Sequence, residues 1–363
     1  MTVPAKSGPA QNGPAQNGPA GRPLRAVALV EHGYHELGFW YPVLRLRELG
    51  AEVTVAGASA DETYVSALGY PVIPDTDLAA AAAAGPDLVI VPGGEAGRRL
   101  AAAPQAEELM NIERAGAVVV TGDPDELPAQ LKAAARIPDE PHLPGARILV
   151  LAESQYQELE LWYPVLRFRE AGADVVVASP ARGALYASKI GYPVRSDVSV
   201  EDIDPTDVDA LIVPGGFAPE AMRRSQPLLD LVRKTYESQA IVAAICHAGW
   251  VLVSAGLARG RRLTCVPIIR DDVLSAGADY TDEPVVRDGN LITSRLPGDL
   301  PAFCAEIASA LRQPARRRGD GHSWPAAADR QSSAAYTVAA QLQQSPAGRA
   351  TANYRTVSVP AHA

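Results

Sequence analysis

Short apolar runs alternate with longer stretches of mixed polarity along the middle of this chain, and the whole alternation occurs twice. Residues 26–30 (AVALV) and 148–151 (ILVL) have the length and β-rich content of buried strands. Each is followed by a segment of helical length that ends at a glycine, Gly50 or Gly172, and then by a second apolar run at residues 53–56 or 175–178. Buried strands alternating with amphipathic helices at this spacing predict the α/β class: a doubly wound parallel sheet flanked by helices on both faces. Sites in such sheets lie beyond the carboxyl ends of the strands. Glu158 and Glu160, the Pro214-Gly215-Gly216 turn and Cys246 all fall at such ends.

The two halves are a tandem duplication. Residues 25–75 line up with residues 147–197 without a gap, and roughly half of the aligned positions are identical. WYPVLRLRELGAEV from Trp40 matches WYPVLRFREAGADV from Trp162, GYPV recurs at Gly69 and Gly191, and DLVIVPGG at 87–94 matches DALIVPGG at 209–216. The units differ where chemistry would reside. Gly38 stands at the register of Glu160, and Asp123-Pro124 stands at that of Cys246-His247 after a one-residue adjustment. The first unit also stops early, without counterparts of residues 264–268, 290–294 or 300–311. It reads as a truncated, degenerate domain that covers an apolar surface of the second. The ends of the chain, with a near-repeat of GPAQN at one end and Ala, Ser, Gln, Gly and Pro at the other, read as unstructured. The expected division is a tail at 1–23, the truncated unit at 24–137, a linker at 138–146, the complete unit at 147–312 and a tail at 313–363.

Residues 240–256 (AIVAAICHAGWVLVSAG) read as a buried strand, a sharp turn and a helix, with Cys246 at the turn and at the helix N-terminus. Unpaired N–H groups and partial positive charge there favour thiolate, so the thiol is expected to titrate below its free value of about 8.5. The small Ala248 and Gly249 leave room for a substrate.

Composition narrows the classes. The chain has 363 residues and a formal net charge of −9, which repels phosphate backbones and argues against a nucleic-acid partner. The run Arg316-Arg317-Arg318 is short and lies in a Pro/Gly-rich segment, where a solvated charge run is expected. No uninterrupted apolar segment is long enough to span a bilayer and no signal-peptide stretch opens the chain, so no membrane partner and a cytoplasmic location are expected. The three cysteines, Cys246, Cys265 and Cys304, are too few and too irregular for a disulfide framework or a zinc site. No metal or cofactor is expected.

The second unit resembles the PfpI family of intracellular cysteine peptidases and amidases, within the ThiJ/PfpI superfamily and its class I glutamine amidotransferase-like fold. ELELWYP, VPGGFAPE, AICHAG, AGLARGRRLT, IRDDVLSAG and SRLPGDL carry the resemblance in the right order; the first unit shares only its opening half. The resemblance implies that Cys246 is the nucleophile, followed by His247, and that Glu160, four residues before Pro164, is the acid beside the thiol. In that family the acid stays protonated and hydrogen-bonds the sulfur. Gly215 and Gly216 match the loop whose N–H groups form an oxyanion hole, and Ala248 stands where the family has glycine. Glu220 matches an acid that reaches a neighbouring subunit's histidine to complete a Cys-His-Glu triad. The first unit has Arg98 at that register, so the resemblance implies that Glu220 comes from another chain, in a homo-oligomer of at least two chains with the first unit packing as a pseudo-subunit. Val266 replaces a tyrosine and Gln157 an acid found in other members. Arg270, Asp271, Asp272, Arg295 and Asp299 are expected to form structural salt bridges and caps.

Reactions of this superfamily include peptide or amide hydrolysis, conversion of methylglyoxal to lactate, reversal of early glycation and isonitrile hydration. All use a thiolate adding to an electrophilic carbon, donors for the resulting anion, and His247 or Glu160 to move protons. The expectation is a cofactor-free cysteine hydrolase or a glyoxalase/deglycase, taking a small carbonyl or a peptide or amide substrate. The alternative is a redox-sensing or chaperone-like binding protein built on an oxidisable Cys246. Glutamine amidotransfer is disfavoured because no histidine lies between His247 and His322.

Overall fold

The computed structural model describes residues 22–110, 118–120, 131–132, 143–312 and 323–325. The expected N-terminal tail up to residue 21, residues 138–142 of the expected linker, Asp123-Pro124 and nearly all of the expected C-terminal tail fall outside them.

Among the described residues two large, mainly parallel sheets are present, one in each half, with three two-stranded sheets beside them. The first has the order Thr76–Asp77, Glu52–Gly57, Arg25–Leu29, Leu88–Ile90 and Val118–Val120. The second has the order Val198–Ser199, Asp174–Ser179, Arg147–Leu151, Ala210–Val213, Ile241–Ile245, Leu291–Ser294 and Val285–Asp288. The first five strands of the second sheet correspond to those of the first. The extra hairpin places the antiparallel Val285–Asp288 at one edge. This is the flanked, parallel α/β architecture expected from the alternation of apolar runs.

Strand Arg25–Leu29 shows how a two-residue period is used. Ala26, Ala28 and Val30 join the core shared with the second unit, whereas Val27 and Leu29 join a smaller core with Leu78, Val89 and Leu100 on the opposite face. The shared core runs from Leu24 to Ala310 without a break between units.

Helices Glu36–Glu48 and Glu158–Glu170 occupy equivalent places, and Gly50 and Gly172 adopt φ of 80° and 79° just beyond their ends. Left-handed backbone there lets the chain turn into the next strand. These helices depart from the expected amphipathic pattern. Residues 158–168 are all buried, because one side of the helix faces its own sheet and the other faces the equivalent helix of the first unit. Helix Leu300–Leu311, which has no counterpart among the described residues of the first unit, packs against both.

The contact between the helices is reciprocal. Tyr41 donates its hydroxyl proton to Glu170, and Arg45 Nε lies 3.1 Å from both oxygens of that carboxylate. In the mirror arrangement, Tyr163 donates to Glu48 Oε2 at 2.5 Å and Arg167 Nε donates to Glu48 Oε1 at 2.7 Å. A two-fold arrangement of this kind is how a symmetric dimer pairs its subunits, here within one chain. One part of the expected C-terminal tail is fixed to the second unit. Ser323 donates to Asp207 Oδ2 at 2.6 Å and accepts from Asp204 N, and Trp324 packs against the core.

Glu48 is a buried anion serving two buried guanidiniums, since Arg45 lies 3.4 Å from it as well. Removing one member of such a group leaves the rest as uncompensated buried charge. Glu48→Ala is therefore expected to lower the unfolding free energy by about 3–5 kcal/mol in urea titrations of the full chain. A loss below about 1 kcal/mol, the value typical of a solvated surface pair, would refute this account.

Candidate active site

The site is assembled where strand Ile241–Ile245 ends. The next residue, Cys246, has φ of 62°, a left-handed backbone rarely adopted by a residue other than glycine, and the chain passes through one 3-10 turn into helix Gly249–Ser254. Such strain persists only where surrounding packing fixes it and is concentrated at functional sites. The expected strand, turn and helix are all present, but the side chain is far from open, with 7% of its surface exposed.

Glu160 sits in the first turn of helix Glu158–Glu170, fully buried, and its Oε2 accepts from Gly215 N at 2.7 Å. Burial pushes its carboxyl up to about 8, opposed by the Gly215 amide and by the thiol of Cys246. At neutral pH it is protonated. Oε1 has no hydrogen-bond partner among the described residues, while the carboxyl and the thiol of Cys246 are close enough to shift one another. Cys246 is pushed well up, first by burial and then by the Glu160 charge, while the amides of His247 and Gly216 pull it down. The expectation of a thiol lowered by the helix N-terminus is corrected here. Desolvation of the sulfur outweighs the two amides, and the turn of helix is too short to supply more.

Gly215 is required by space. A Cβ there would lie 2.7 Å from both Cys246 Cβ and Glu160 Oε2. Gly216 has φ of 78°, and its Cβ would lie 2.5 Å from Gln155 O and Gln157 N. The two glycines differ in what their amides do: Gly215 has its N–H committed to Glu160, whereas the amides of Gly216 and His247 act on the sulfur.

His247 is half-buried, with its ring edge-on to Trp250 at 5.1 Å and tilted against Phe217 at 6.3 Å. Its Nδ1 is buried without a hydrogen-bond partner among the described residues. Burial and the Lys189 charge lower its pKa, so the ring is neutral at neutral pH. Ala248 is buried behind it. Glu220, at the head of helix Ala218–Met222, is exposed, and the structure does not bring it to the His247 of its own chain. Asp272 accepts from Trp250 Nε1 at 2.7 Å, and Arg295 pairs with Asp282 and Asp299, as expected of structural partners.

Three more residues take part: Glu158 and Gln157, noted in the sequence without a role at the site, and Lys189, which was not singled out. Glu158 is buried and pushed up to about 7 by burial, with Glu36 of the first unit adding to the effect. Gln157 caps the helix by accepting from Glu160 N at 2.8 Å. Lys189 stands 5.9 Å from the centre of the exposed Phe217 ring, and its charge reaches Glu158, Glu160 and His247. Comparison of the two units held a signal for it, because Ala67 stands at its register.

A strained cysteine elbow at the end of a parallel strand, facing a buried carboxyl and a Pro-Gly-Gly loop, forms the candidate site of this flanked α/β fold. The DJ-1/PfpI family model matches residues 24–120 and 146–310, and the chain belongs to that family. A deglycase of Pyrococcus abyssi is 43% identical over 166 residues, which make up 46% of this chain and 99% of the archaeal one. A candidate cysteine protease of Bacillus subtilis is 37% identical over 166 residues, 46% of this chain and 98% of its own. Among solved structures, DJ-1β of Drosophila melanogaster is 32% identical and has a TM-score of 0.44, covering 47% of this chain and 92% of the fly protein. These relatives are about one unit long; this chain carries two. Among the described residues, no helix is long and apolar enough to cross a membrane.

The raised carboxyl has a thermodynamic consequence. Because the folded value of Glu160 lies above the ordinary 4.5, its contribution to stability is fully present below about 4.5 and is lost as pH rises through about 8. Glu160→Gln, which cannot ionise, is expected to gain on wild type by several degrees in Tm between about pH 5 and about pH 8, at about 2–4 °C per kcal/mol. Melting curves of the two proteins that stay parallel over that range would contradict a buried, proton-holding Glu160.

Proposed function

We propose that this protein is a cysteine-dependent enzyme acting on small reactive carbonyl compounds, a glyoxalase or deglycase, with Cys246 as nucleophile. The observation that carries the reading is the pairing of a strained Cys246 with a buried, protonated Glu160, the amides of Gly216 and His247 directed at the same sulfur. A thiol with so little exposed surface favours a small aldehyde over a peptide segment, which would need a wider cleft. Burial and a raised thiol also argue against a redox sensor, whose cysteine is open and readily ionised. The three free cysteines suit a reducing compartment, and the cytoplasm is the proposed location.

With methylglyoxal, the sulfur adds to the aldehyde carbon as neutral His247 takes the thiol proton and protonated Glu160 gives its proton to the carbonyl oxygen, leaving a thiohemiacetal and a Glu160 carboxylate. That carboxylate then removes the hydrogen on the same carbon and returns it to the adjacent carbon through an enediol, with His247 exchanging the proton on the oxygens. Water opens the resulting thioester. One methylglyoxal and one water give one lactate, with no net oxidation and the thiol restored. The same first step serves removal of an early glycation adduct.

Wild type is expected to form lactate from methylglyoxal, and Cys246→Ser to lose at least about a thousandfold in kcat/KM. Cleavage of a peptide amide without lactate would move the assignment to the peptidase branch, and silence of wild type in both assays would remove it.

We also propose that Glu220 of a second chain supplies the missing partner of His247 Nδ1, orienting the ring. Light scattering is expected to show at least a dimer, and Glu220→Ala to lower kcat by about tenfold or more. A monomeric wild type with full activity would exclude an acid from another chain.

A further inference from the structure

A side chain of the first unit reaches the site in the second. Gln157 is 4% exposed, and its amide has a partner at each end. Its Oε1 accepts from Glu160 N at 2.8 Å, while its Nε2 donates to Glu158 Oε1 at 3.1 Å and to the hydroxyl oxygen of Tyr70 at 3.5 Å. Tyr70 precedes Gln157 by 87 residues, is itself buried, and stands edge-on to Trp40 at a ring distance of 5.9 Å. Both amide protons of Gln157 thereby have acceptors. An amide can face its neighbours in two ways, and only one puts oxygen opposite the Glu160 N–H. With an acceptor at Tyr70 the N–H₂ end is held toward the first unit. Without it, one buried donor is left unsatisfied and only the Glu158 contact holds the N–H₂ end, which weakens the orientation that caps Glu160.

The two-fold relation between the units provides an internal control. Tyr192 occupies the place of Tyr70 on the other side and stands edge-on to His35 at 5.9 Å. His35 caps the first unit's helix by accepting from Gly38 N at 3.2 Å. At that register the acid is replaced by glycine, so the mirror arrangement leads to no carboxyl. Only the Tyr70 side leads to a thiol.

We propose that Tyr70 is a positioning residue for the Glu160–Cys246 pair, acting through the Gln157 amide, and that the degenerate unit is thereby a working part of the site it lacks. This rests on Cys246 and Glu160 acting together as proposed above, but not on the substrate assigned to them. Tyr70 keeps its proton throughout, since burial and the nearby Glu158 and Glu160 charges hold its hydroxyl far above neutrality.

The test is the rate of Cys246 alkylation by iodoacetamide across pH, read on the full chain by mass spectrometry of the Cys246 peptide. Tyr70→Phe keeps the ring against Trp40 and removes only the hydroxyl. It is expected to slow alkylation at neutral pH by about fivefold and to move the midpoint of the profile upward. Tyr192→Phe is expected to follow wild type. A Tyr70→Phe profile that overlays wild type, faster alkylation from a loosened contact, or an equal change in Tyr192→Phe would each overturn the proposal. No substrate is involved, so a failed lactate assay with the expected alkylation profiles would reject the carbonyl reading and leave the role of Tyr70 standing.

Discussion

Burying a carboxyl group in apolar surroundings is unfavourable unless its charge is removed or its oxygens are occupied, and the organisation around Glu160 follows from that constraint. One oxygen takes the amide of Gly215, which needs the chain to pass closer than any side chain would permit. The other has no hydrogen-bond partner among the described residues, and the carboxyl is held protonated by burial. The strained backbone at Cys246, the bare Pro-Gly-Gly turn and the capped start of the acid helix are three local departures from ordinary geometry that meet at one group. Each is tolerable because the sheet beneath them is buried on both faces.

The same helix that carries Glu160 also forms the seam between units. Tyr163 and Arg167 lie one and two turns beyond it and engage Glu48, while Gln157 before it meets Tyr70. The turn that carries Glu160 and the seam are thus parts of one helix. Helix Leu300–Leu311 closes over the pair and ties both to the last strand of the complete sheet.

Much of this was legible in the chain. The apolar runs and terminal glycines located the strands and helices, and the duplication isolated Glu160 and Cys246 as positions where the halves disagree. What escaped reading depends on distance in space. The direction of the Cys246 shift was misjudged because a helix N-terminus is visible in sequence whereas the desolvation that opposes it arises from packing. The division of labour between Gly215 and Gly216 requires knowing which amide faces the carboxyl. The all-round burial of residues 158–168 and the meeting of Tyr70 with Gln157 arise from docking of the units, which no local pattern encodes. Lys189 was within reach, because the substitution of alanine for lysine between aligned GYPV motifs was visible.

Covalent fusion of the two units changes how the seam can evolve. In a dimer of identical chains every substitution falls on both sides of the axis, and the encounter of the halves depends on dilution. Here the halves are tethered, so their effective concentration is set by the chain and not by expression level. One half can lose its own acid, as Gly38 records, while the clasp of Tyr41, Arg45 and Glu48 is kept. The reciprocal clasp therefore keeps a two-fold symmetry at the seam that the residues of the site do not share.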